Sequence, residues 1–204
     1  MDNFRDKIKF VPKDKYKPKF QKTKDFPYYK MYEEDGSFVG RINPKYEVRQ
    51  NKWLQGVSCF VMNEQGEILL EKRAGKGLTP GKIDLVSGHV DKEETPEQSM
   101  SRELQEEVGI AVTKNSQLRS LGVLPLVFEN NNNRRKFKIE FFCCQYNNET
   151  MKMQKEEVED VFWLPMEDVF ELIKRGKTKF TYTIQMEEIF QKIRTIKNMD
   201  KERE

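Results

Sequence analysis

Four glutamates, an arginine and two glycines stand at fixed offsets between Gly88 and Ile110. Gly88 is followed by five residues and Glu94, and then by seven residues and the run Arg102-Glu103-Leu104-Gln105-Glu106-Glu107-Val108-Gly109-Ile110. Clustered carboxylate oxygens are typical ligands of hard divalent cations such as Mg2+ and Mn2+. The block therefore predicts a site for such a cation and, with it, metal-assisted chemistry.

The residues around the acidic run predict a helix over about 96–108. Thr95 is a good N-cap, Pro96 suits the first helical position, and the next signal, Gln98, completes a capping box with the threonine. Gly109 is a stop signal at the other end. The metal-binding glutamates are therefore expected on a helix.

On that helix Glu103, Glu106 and Glu107 share one face, because they are three and four residues apart. Another face carries an apolar stripe that can bury against a sheet, formed by Met100, Leu104 and Val108. A solvated acidic face is the usual explanation of a charge run, and 35% of this chain is charged. That explanation does not account for the glycines and the arginine at their offsets, whereas a cation would also remove the repulsion among the carboxylates.

The block resembles the Nudix box, Gly-x5-Glu-x7-Arg-Glu-aliphatic-x-Glu-Glu-x-Gly-aliphatic, with no departure, and weaker similarity covers about residues 35–175. The resemblance implies an α/β/α sandwich with a mixed sheet, in which the box forms a loop-helix-loop. It also implies a Mg2+-dependent hydrolase that cleaves the diphosphate linkage of a nucleoside diphosphate bonded to a group X, by in-line attack of a metal-activated water.

The resemblance further implies roles for the residues of the box. Metal ligation falls chiefly to the three glutamates of the acidic face, Glu103, Glu106 and Glu107. A backbone carbonyl near Gly88 often joins them, while Glu94 and Arg102 orient and balance the site. Adjacent carboxylates can divide the ligand and general-base roles, so Glu106 and Glu107 both remain candidates for the base.

Further candidates lie outside the acidic run. Many related enzymes place an extra metal-binding or general-base glutamate before the strand of Trp163, which makes Glu157 a catalytic candidate and Glu156 a second one; a charged loop is the alternative. Arg73, at a strand end, and His89 are candidates for substrate binding, together with Glu94. A surface ion pair is the alternative for the arginine, and a structural hydrogen bond for the histidine.

The segment from 129 to 136, Glu-Asn-Asn-Asn-Asn-Arg-Arg-Lys, is expected to be a loop. Its basic residues, Arg134 to Lys136, could meet phosphates, although an exposed hairpin tip is the simpler interpretation.

The chain of 204 residues predicts one Nudix-type domain over 31–198, a basic N-terminal extension over 1–30 without fixed structure, and a charged tail over 199–204. Strand patterns are expected at 56–62, 67–73, 83–87, 118–128, 137–146 and 161–164, a hairpin turn at 34–37, and helices at 165–175 and 184–197. This alternation of strands and helices predicts an α/β or α+β fold.

Composition limits the remaining options. No apolar run approaches 18 residues, so no membrane span is expected, and the first residues lack a secretory signal. Three cysteines and one histidine provide neither a disulfide framework nor a zinc site, which favours a cytoplasmic protein with reduced thiols.

Charge is unevenly distributed, although the net charge is only +3. Residues 1–25 carry nine Lys or Arg against four Asp, and residues 88–110 carry seven acids against two bases. Aromatic residues are interleaved with the N-terminal lysines, a pattern that a nucleic-acid-binding segment or a solvated leader would both show. The candidate partners are a nucleotide-type diphosphate, RNA at the basic N-terminus, and a second copy of the chain in a homodimer.

Two other functions deserve comparison. Residues 35–90 are similar to the isomerase-like Nudix branch, which includes isopentenyl-diphosphate isomerase. That isomerase needs several metal-binding histidines and a catalytic cysteine, whereas this chain has only His89, and Cys59 lies in an apolar strand. A binding module, or an RNA 5′-end pyrophosphohydrolase, is the second alternative, but non-enzymatic relatives usually lose box glutamates that this chain retains.

Overall fold

The computed structural model describes residues 10–12, 29–42, 52–74, 81–91, 93–113, 118–130, 133–148, 150–180 and 183–201. The strands in this part of the chain are β1 (Phe10–Pro12), β2 (Tyr29–Tyr32), β3 (Phe38–Ile42), β4 (Trp53–Met62), β5 (Glu67–Arg73), β6 (Ile83–Asp84), β7 (Val86–His89), β8 (Arg119–Asn130), β9 (Asn133–Gln145) and β10 (Val158–Pro165). The helices are α1 (Pro96–Glu103), which continues as a π-helical segment (Leu104–Val108), α2 (Met166–Lys174) and α3 (Met186–Lys201).

Strand β4 organises the sheet. It pairs antiparallel with β2, β5 and β7, and parallel with β9 over its whole length, from Trp53↔Lys136 to Met62↔Gln145. Strand β10 pairs antiparallel with the outer side of β5, and β8 pairs antiparallel with β9. The mixed sheet implied by the resemblance is confirmed.

Alternating side chains of β4 supply the two faces of the sheet. Phe60 and Met62 belong to one buried cluster, which also contains the apolar faces of α2 and α3. Val57 and Val61 belong to a second cluster, on the side of α1 and the π-helical segment. That second cluster takes up the predicted stripe of Met100, Leu104 and Val108, all wholly buried. Helices therefore cover both faces, as the α/β/α sandwich requires.

The expected loop at 129–136 is wrong. Strand β8 runs to Asn130 and β9 begins at Asn133, so the basic residues belong to a strand. The ladder continues through Phe128↔Arg135 and Val127↔Lys136. The ammonium group of Lys136 lies over the Trp53 ring, 5.2 Å from its centroid, and this attraction between residues far apart in the sequence adds to the strand pairing.

Other expectations are confirmed with shifted boundaries. The hairpin turn at Glu34–Ser37 joins β2 to β3, and Gly176 ends α2 with a φ of 63°. Helix α3 continues to Lys201, so the expected tail from residue 199 begins inside this helix. Phe10–Pro12 of the basic extension pairs with β3. The rest of the extension up to residue 28, including its lysine-rich part, lies outside the described residues.

Among the described helices, not one has the length and apolar character needed to cross a membrane.

Candidate functional site

Local sequence signals fix the start of α1. The Thr95 hydroxyl accepts from the Gln98 N–H at 3.2 Å, and the Gln98 carboxamide oxygen accepts from the Thr95 N–H at 2.8 Å. The capping box is therefore confirmed. The α-helix ends earlier than predicted, at Glu103, because the last turn widens into the π-helical segment. Gly109, at φ 77°, donates its N–H to Leu104 and ends the segment.

The π-helical segment divides the acidic face. The Glu107 side chain is buried and Glu103 is only 13% exposed, whereas Glu106 is 54% exposed. Single π-turns inside α-helices occur frequently at functional sites. The three glutamates therefore stay on one helical surface, but two point inward and one faces solvent.

Arg102 lies among the box glutamates. Its guanidinium donates to Glu94 from Nε at 3.0 Å and from Nη2 at 3.1 Å. Nη1 donates to Glu103 at 2.8 Å and to Glu106 at 3.2 Å, and Nη2 also donates to the backbone carbonyl of His89 at 3.2 Å. Burial lowers the pKa of Arg102, but these carboxylate partners outweigh it and raise the pKa. The guanidinium of Arg102 thus connects the loop before α1 to the helical residues Glu103 and Glu106.

Glu94 is oriented by the same group. Burial alone would raise its pKa, but hydrogen bonds from Arg102 and from the Ser99 hydroxyl, at 2.7 Å, keep the pKa below its ordinary value. Lys30 of β2 donates to the Glu94 backbone carbonyl at 3.3 Å. Glu94 is therefore ionised and fixed from both sides.

Gly88 lies directly under the carboxyl group of Glu103. A Cβ on Gly88 would come within 3.0 Å of that group, a separation that real Cβ atoms do not show. Burial raises the pKa of Glu103 to about 7; Arg102 opposes this, and repulsion from Glu106 and Glu157 adds to it. The missing side chain of Gly88 is what admits this carboxylate.

Glu107 lies against the neighbouring residue of β7, where its Oε2 accepts from the Ser87 N–H at 3.3 Å. Burial raises its pKa well above the ordinary value, and the charges of Glu71 and Glu103 contribute further. Glu71, in β5, is wholly buried and has its pKa raised to about 8, first by burial and then by Asp84. The buried carboxyl groups of Glu71, Asp84 and Glu107 therefore interact on the sheet side of the π-helical segment.

Two cations balance these buried acids. Arg73 Nη1 lies 3.2 Å from Glu71 and 3.6 Å from Asp84, and the arginine side chain is only 15% exposed. Lys179 Nζ lies 3.0 Å from Asp84 Oδ2 and 3.1 Å from the Ser87 hydroxyl. The alternative of a surface ion pair does not describe Arg73, because both of its acidic partners are wholly buried, and its role in substrate binding stays a prediction.

The loop before β10 packs on the end of the acidic helix. Gln154 N–H donates to the Glu107 carbonyl at 3.0 Å, and Lys152 N–H donates to the Val108 carbonyl at 2.9 Å. Glu157 lies in this loop with an exposed side chain, close enough to raise the pKa of Glu103. Glu156 is also exposed. The structure thus brings Glu157 to the site.

His89 contributes its backbone to the site, through the carbonyl that Arg102 contacts. Its ring packs against Phe137, with 5.5 Å between centroids. Burial, followed by the nearby charges of Lys179, Arg135 and Arg102, lowers its pKa to about 3. The imidazole is therefore neutral at physiological pH.

Cys59 is buried on the α1 side of β4, with its Sγ 3.7 Å from Cys144 Sγ. Burial raises the pKa of its thiol well above the ordinary value. The cysteine thus packs in the core.

Sequence reasoning missed four residues that join the site from behind: Glu71, Asp84, Ser87 and Lys179. A partial signal existed, because single acids interrupt apolar strands at two of these positions. Lys179 had no local signal, since its contact with Ser87 spans 92 positions of the chain.

The donor chemistry of this surface fits a hard divalent cation. Glu103, Glu106 and Glu107 offer oxygen ligands only, and the raised pKa values of Glu103 and Glu107 indicate carboxylates that an added cation would stabilise in the ionised form. Within the described ranges, no three acidic, histidine or cysteine side chains are arranged closely enough to hold a metal ion. Arg102 instead bridges Glu103 and Glu106.

The similarity of this chain to known proteins extends beyond the acidic segment. The family model of the NUDIX domain matches residues 52–184, more than half of the chain. The chain is 42% identical over 59 residues to the 8-oxo-dGTP diphosphatase of Escherichia coli (strain K12), and 39% identical over 67 residues to that of Haemophilus influenzae. These matches cover 29% and 33% of this chain and 46% and 48% of the relatives, so they span about half of each relative.

Two solved structures share the fold. The MutT protein of Methanosarcina mazei Go1 has a TM-score of 0.53 at 23% identity, and the match covers 70% of this chain and 94% of that one. The protein DR0079 of Deinococcus radiodurans has a TM-score of 0.58 at 20% identity, with 82% and 98% covered. The α/β/α architecture with its mixed sheet is thus shared with known proteins.

Proposed function

We propose that this chain, which belongs to the NUDIX family, is a divalent-cation-dependent hydrolase that cleaves the diphosphate linkage of a nucleoside diphosphate bonded to a further group X. The observation that carries the proposal is the contact of Glu103 and Glu107 with two successive residues of β7, Gly88 and Ser87. It brings two inward-facing carboxylates and a glycine backbone together at one helix end. Such a group of oxygen ligands suits Mg2+, which can bind the oxygens of a diphosphate at the same time.

The proposed ligands are Glu103, Glu106 and Glu107, joined by the Gly88 carbonyl. When bound, Mg2+ neutralises phosphate oxygens and lowers the pKa of a coordinated water. Arg102, held by Glu94, keeps the carboxylates of Glu103 and Glu106 in place through its Nη1. Removal of this guanidinium would leave adjacent acids without a fixed partner.

The proton of the attacking water needs an acceptor. Glu107 is a poor acceptor, because its Oε2 is engaged by the Ser87 N–H and its side chain is buried. Glu106 and Glu157 have exposed side chains beside Glu103, so we assign the general base to one of these two. Water adds to phosphorus, the bridging P–O bond breaks, and the leaving phosphate takes the bridging oxygen.

Single substitutions separate the two candidates. The catalytic base should lose kcat at fixed metal occupancy when changed to glutamine, while a ligand should lose metal affinity. Glu157→Gln is paired with Glu156→Gln, a neighbour of the same type and exposure. Equal effects of these two substitutions would contradict a catalytic role for Glu157.

For the substrate we propose a nucleoside triphosphate, and an oxidised purine triphosphate as the first to assay. The support is the name of the two curated relatives, 8-oxo-dGTP diphosphatase. A panel of nucleoside triphosphates, nucleotide sugars, dinucleoside polyphosphates and 5′-capped RNA, with products resolved by chromatography, tests the choice. Hydrolysis should require Mg2+ or Mn2+ and stop with EDTA. Turnover by verified metal-free protein would overturn the proposed function.

RNA remains the second candidate substrate, on account of the basic segment at the N-terminus. Lysine-to-glutamine changes at Lys13, Lys15, Lys17 and Lys19 in the full chain test it. If this segment recruits RNA, the variant loses turnover of 5′-triphosphate RNA but not of small nucleotides, and the loss shrinks as salt rises. Equal turnover of RNA at low salt would exclude that role.

An isomerase is disfavoured by the position of Cys59. The isomerase that the branch resembles needs a catalytic cysteine, but this thiol is wholly buried among apolar residues.

A further inference from the structure

Arg73 and Lys179 contact a group of buried acids on the sheet side of the π-helical segment. Among the described residues of this network, only Glu107 belongs to the Nudix box. Lys179 comes from the connection between α2 and α3, and its N–H donates to the Ile83 carbonyl at 3.0 Å, next to a parallel bridge between Ile83 and Thr178. This backbone attachment brings the ammonium group beside Asp84 and Ser87. The lysine therefore reaches β6 and β7 from the opposite end of the domain sequence.

A path from Lys179 to Glu107 runs through the side chains of Asp84 and Ser87 and ends at the backbone N–H of Ser87. Lys179 Nζ donates to Ser87 Oγ at 3.1 Å and pairs with Asp84 Oδ2 at 3.0 Å. Ser87 Oγ in turn donates to Asp84 Oδ2 at 3.2 Å. The N–H of Ser87 donates to Glu107 Oε2 at 3.3 Å. Lys179 therefore constrains Asp84 and Ser87, and Ser87 in turn constrains the Glu107 carboxylate.

We propose that Lys179 is a positioning residue for Glu107, which it orients through Asp84 and Ser87 as part of the proposed metal site. This inference rests on the proposed function.

Charge and burial support the assignment. Asp84 and Glu71 are wholly buried and Glu107 nearly so, whereas the described cations in contact with this group are Arg73 and Lys179. A buried carboxylate that loses its cation must protonate or move toward water. Asp84 also accepts from the hydroxyl of Ser87, the same residue whose backbone N–H donates to Glu107, so a change at Asp84 acts on the residue that orients Glu107.

The geometry favours positioning over direct contact with substrate. Lys179 is 28% exposed, but both of its side-chain partners, Asp84 and Ser87, are buried. The ammonium group is thus directed into the protein. A contact with substrate would affect mainly KM, whereas loss of ligand orientation affects the metal and kcat.

The test uses Lys179→Met, with Lys179→Arg as the conservative variant and Lys177→Met as the matched control. Lys177 is an exposed lysine of the same connection. Mn2+ binding to each full-length protein is measured by electron paramagnetic resonance without substrate, and kcat, KM and Tm are measured in parallel. Because Mn2+ binding needs no turnover, a wild type that hydrolyses nothing would defeat the proposed function while this inference could still be decided.

We expect Lys179→Met to weaken Mn2+ binding by about 10- to 100-fold, the range seen when partners of metal ligands are removed. kcat should fall at subsaturating metal, with KM for the nucleotide within twofold of wild type. Lys179→Arg should recover most of the affinity, and Lys177→Met should match wild type. Unchanged Mn2+ affinity with a lower Tm would reduce Lys179 to a structural role, and a KM effect alone would make it a substrate contact; either result overturns the proposal.

A second substitution guards against misfolding of the methionine variant. Asp84→Asn keeps the side-chain shape but removes the charge that Lys179 neutralises. Combined with Lys179→Met, it should weaken Mn2+ binding no further than the worse single change, because both act on one path. If Lys179→Met does not fold, the arginine variant and Asp84→Asn are compared instead. Wild-type Mn2+ affinity in Asp84→Asn would contradict the path.

Discussion

Gly88→Ala should lower kcat by about 100-fold without destabilising the protein. The new Cβ would overlap the carboxyl group of Glu103, but that group is the far end of a flexible side chain that can move away. Gly88 is not among the described glycines with a positive φ, so alanine adds no backbone strain. The substitution should therefore displace the Glu103 carboxylate from the proposed metal site.

The expected magnitudes follow from the pKa of Glu103. A value of about 7, against the usual 4.5, means that the ionised carboxylate is disfavoured at this place by roughly 3 kcal/mol. This net penalty already includes the favourable 2.8 Å ion pair with Arg102, so displacement toward water recovers part of it even though that pair is lost. Tm should therefore hold or rise slightly. Loss of one metal ligand should lower kcat by about 100-fold, or about 2.7 kcal/mol of transition-state stabilisation.

The assay compares kcat, Mn2+ affinity and thermal unfolding for Gly88→Ala, Glu103→Gln and the double variant. Because both changes act on the same carboxylate, the double variant should be no worse than the worse single one. Gly36→Ala is the control. Gly36 has φ 86°, and its added Cβ meets only Lys138 Nζ at 3.6 Å, so alanine should cost about 1–2 kcal/mol of stability and leave kcat unchanged. A Gly88→Ala protein that retains wild-type kcat, or that unfolds far below wild type, refutes this reasoning.

Three further outcomes are expected. Glu106→Gln should lower kcat by about 100-fold but leave metal-free Tm unchanged, since its carboxylate is more than half exposed; a large drop in Tm would make it structural. Metal-free protein should lose stability as pH rises from about 6.5 to 8 and change little above that, because Glu71 has a folded pKa of about 8 against an ordinary 4.5, and the stability that its bound proton contributes is lost by pH 8. Glu71→Gln should flatten that slope, and His89, with a pKa of about 3, does not titrate in this window. Lys30→Met should lower Tm by a few degrees, because the Glu94 carbonyl loses its donor, and an unchanged scan would contradict this role for the first strands.

The parts of the site that local signals determine could be predicted from the sequence. Thr95 and Gln98 cap each other within one turn, and Gly109 takes the left-handed conformation that ends the segment. Such contacts involve residues three to five positions apart, so the spacing of residue types is sufficient to identify them. The alternation of strands and helices predicted an α/β or α+β fold, because periodicity reveals which face of an element is apolar, whereas the α/β/α layering was implied by the resemblance to the Nudix family.

The π-helical segment could not be predicted. α- and π-turns differ by a single residue in hydrogen-bond offset, and the same apolar stripe satisfies both. The asparagine-rich hairpin was misjudged because asparagine favours turns locally, while the strand is held by cross-strand pairs such as Phe128↔Arg135. Contacts between residues far apart in the sequence determine the local structure of such segments.

The balance of charge differs between the two sides of the helical segment that carries the glutamates. Behind the helix, Arg73 and Lys179 neutralise buried acids through contacts that lie almost wholly inside the protein. On the other side, Arg102 is the described cation that contacts the carboxylates of Glu94, Glu103 and Glu106, so negative groups outnumber positive ones among these four. A divalent cation would complete the balance there and favour the ionised form of Glu103, whose pKa is about 7 without it. Because metal binding must then release a proton, Mn2+ affinity should rise with pH through 7 in wild type and rise less steeply in Glu103→Gln. Equal slopes in the two proteins would mean that Glu103 is not the ligand whose proton the cation displaces.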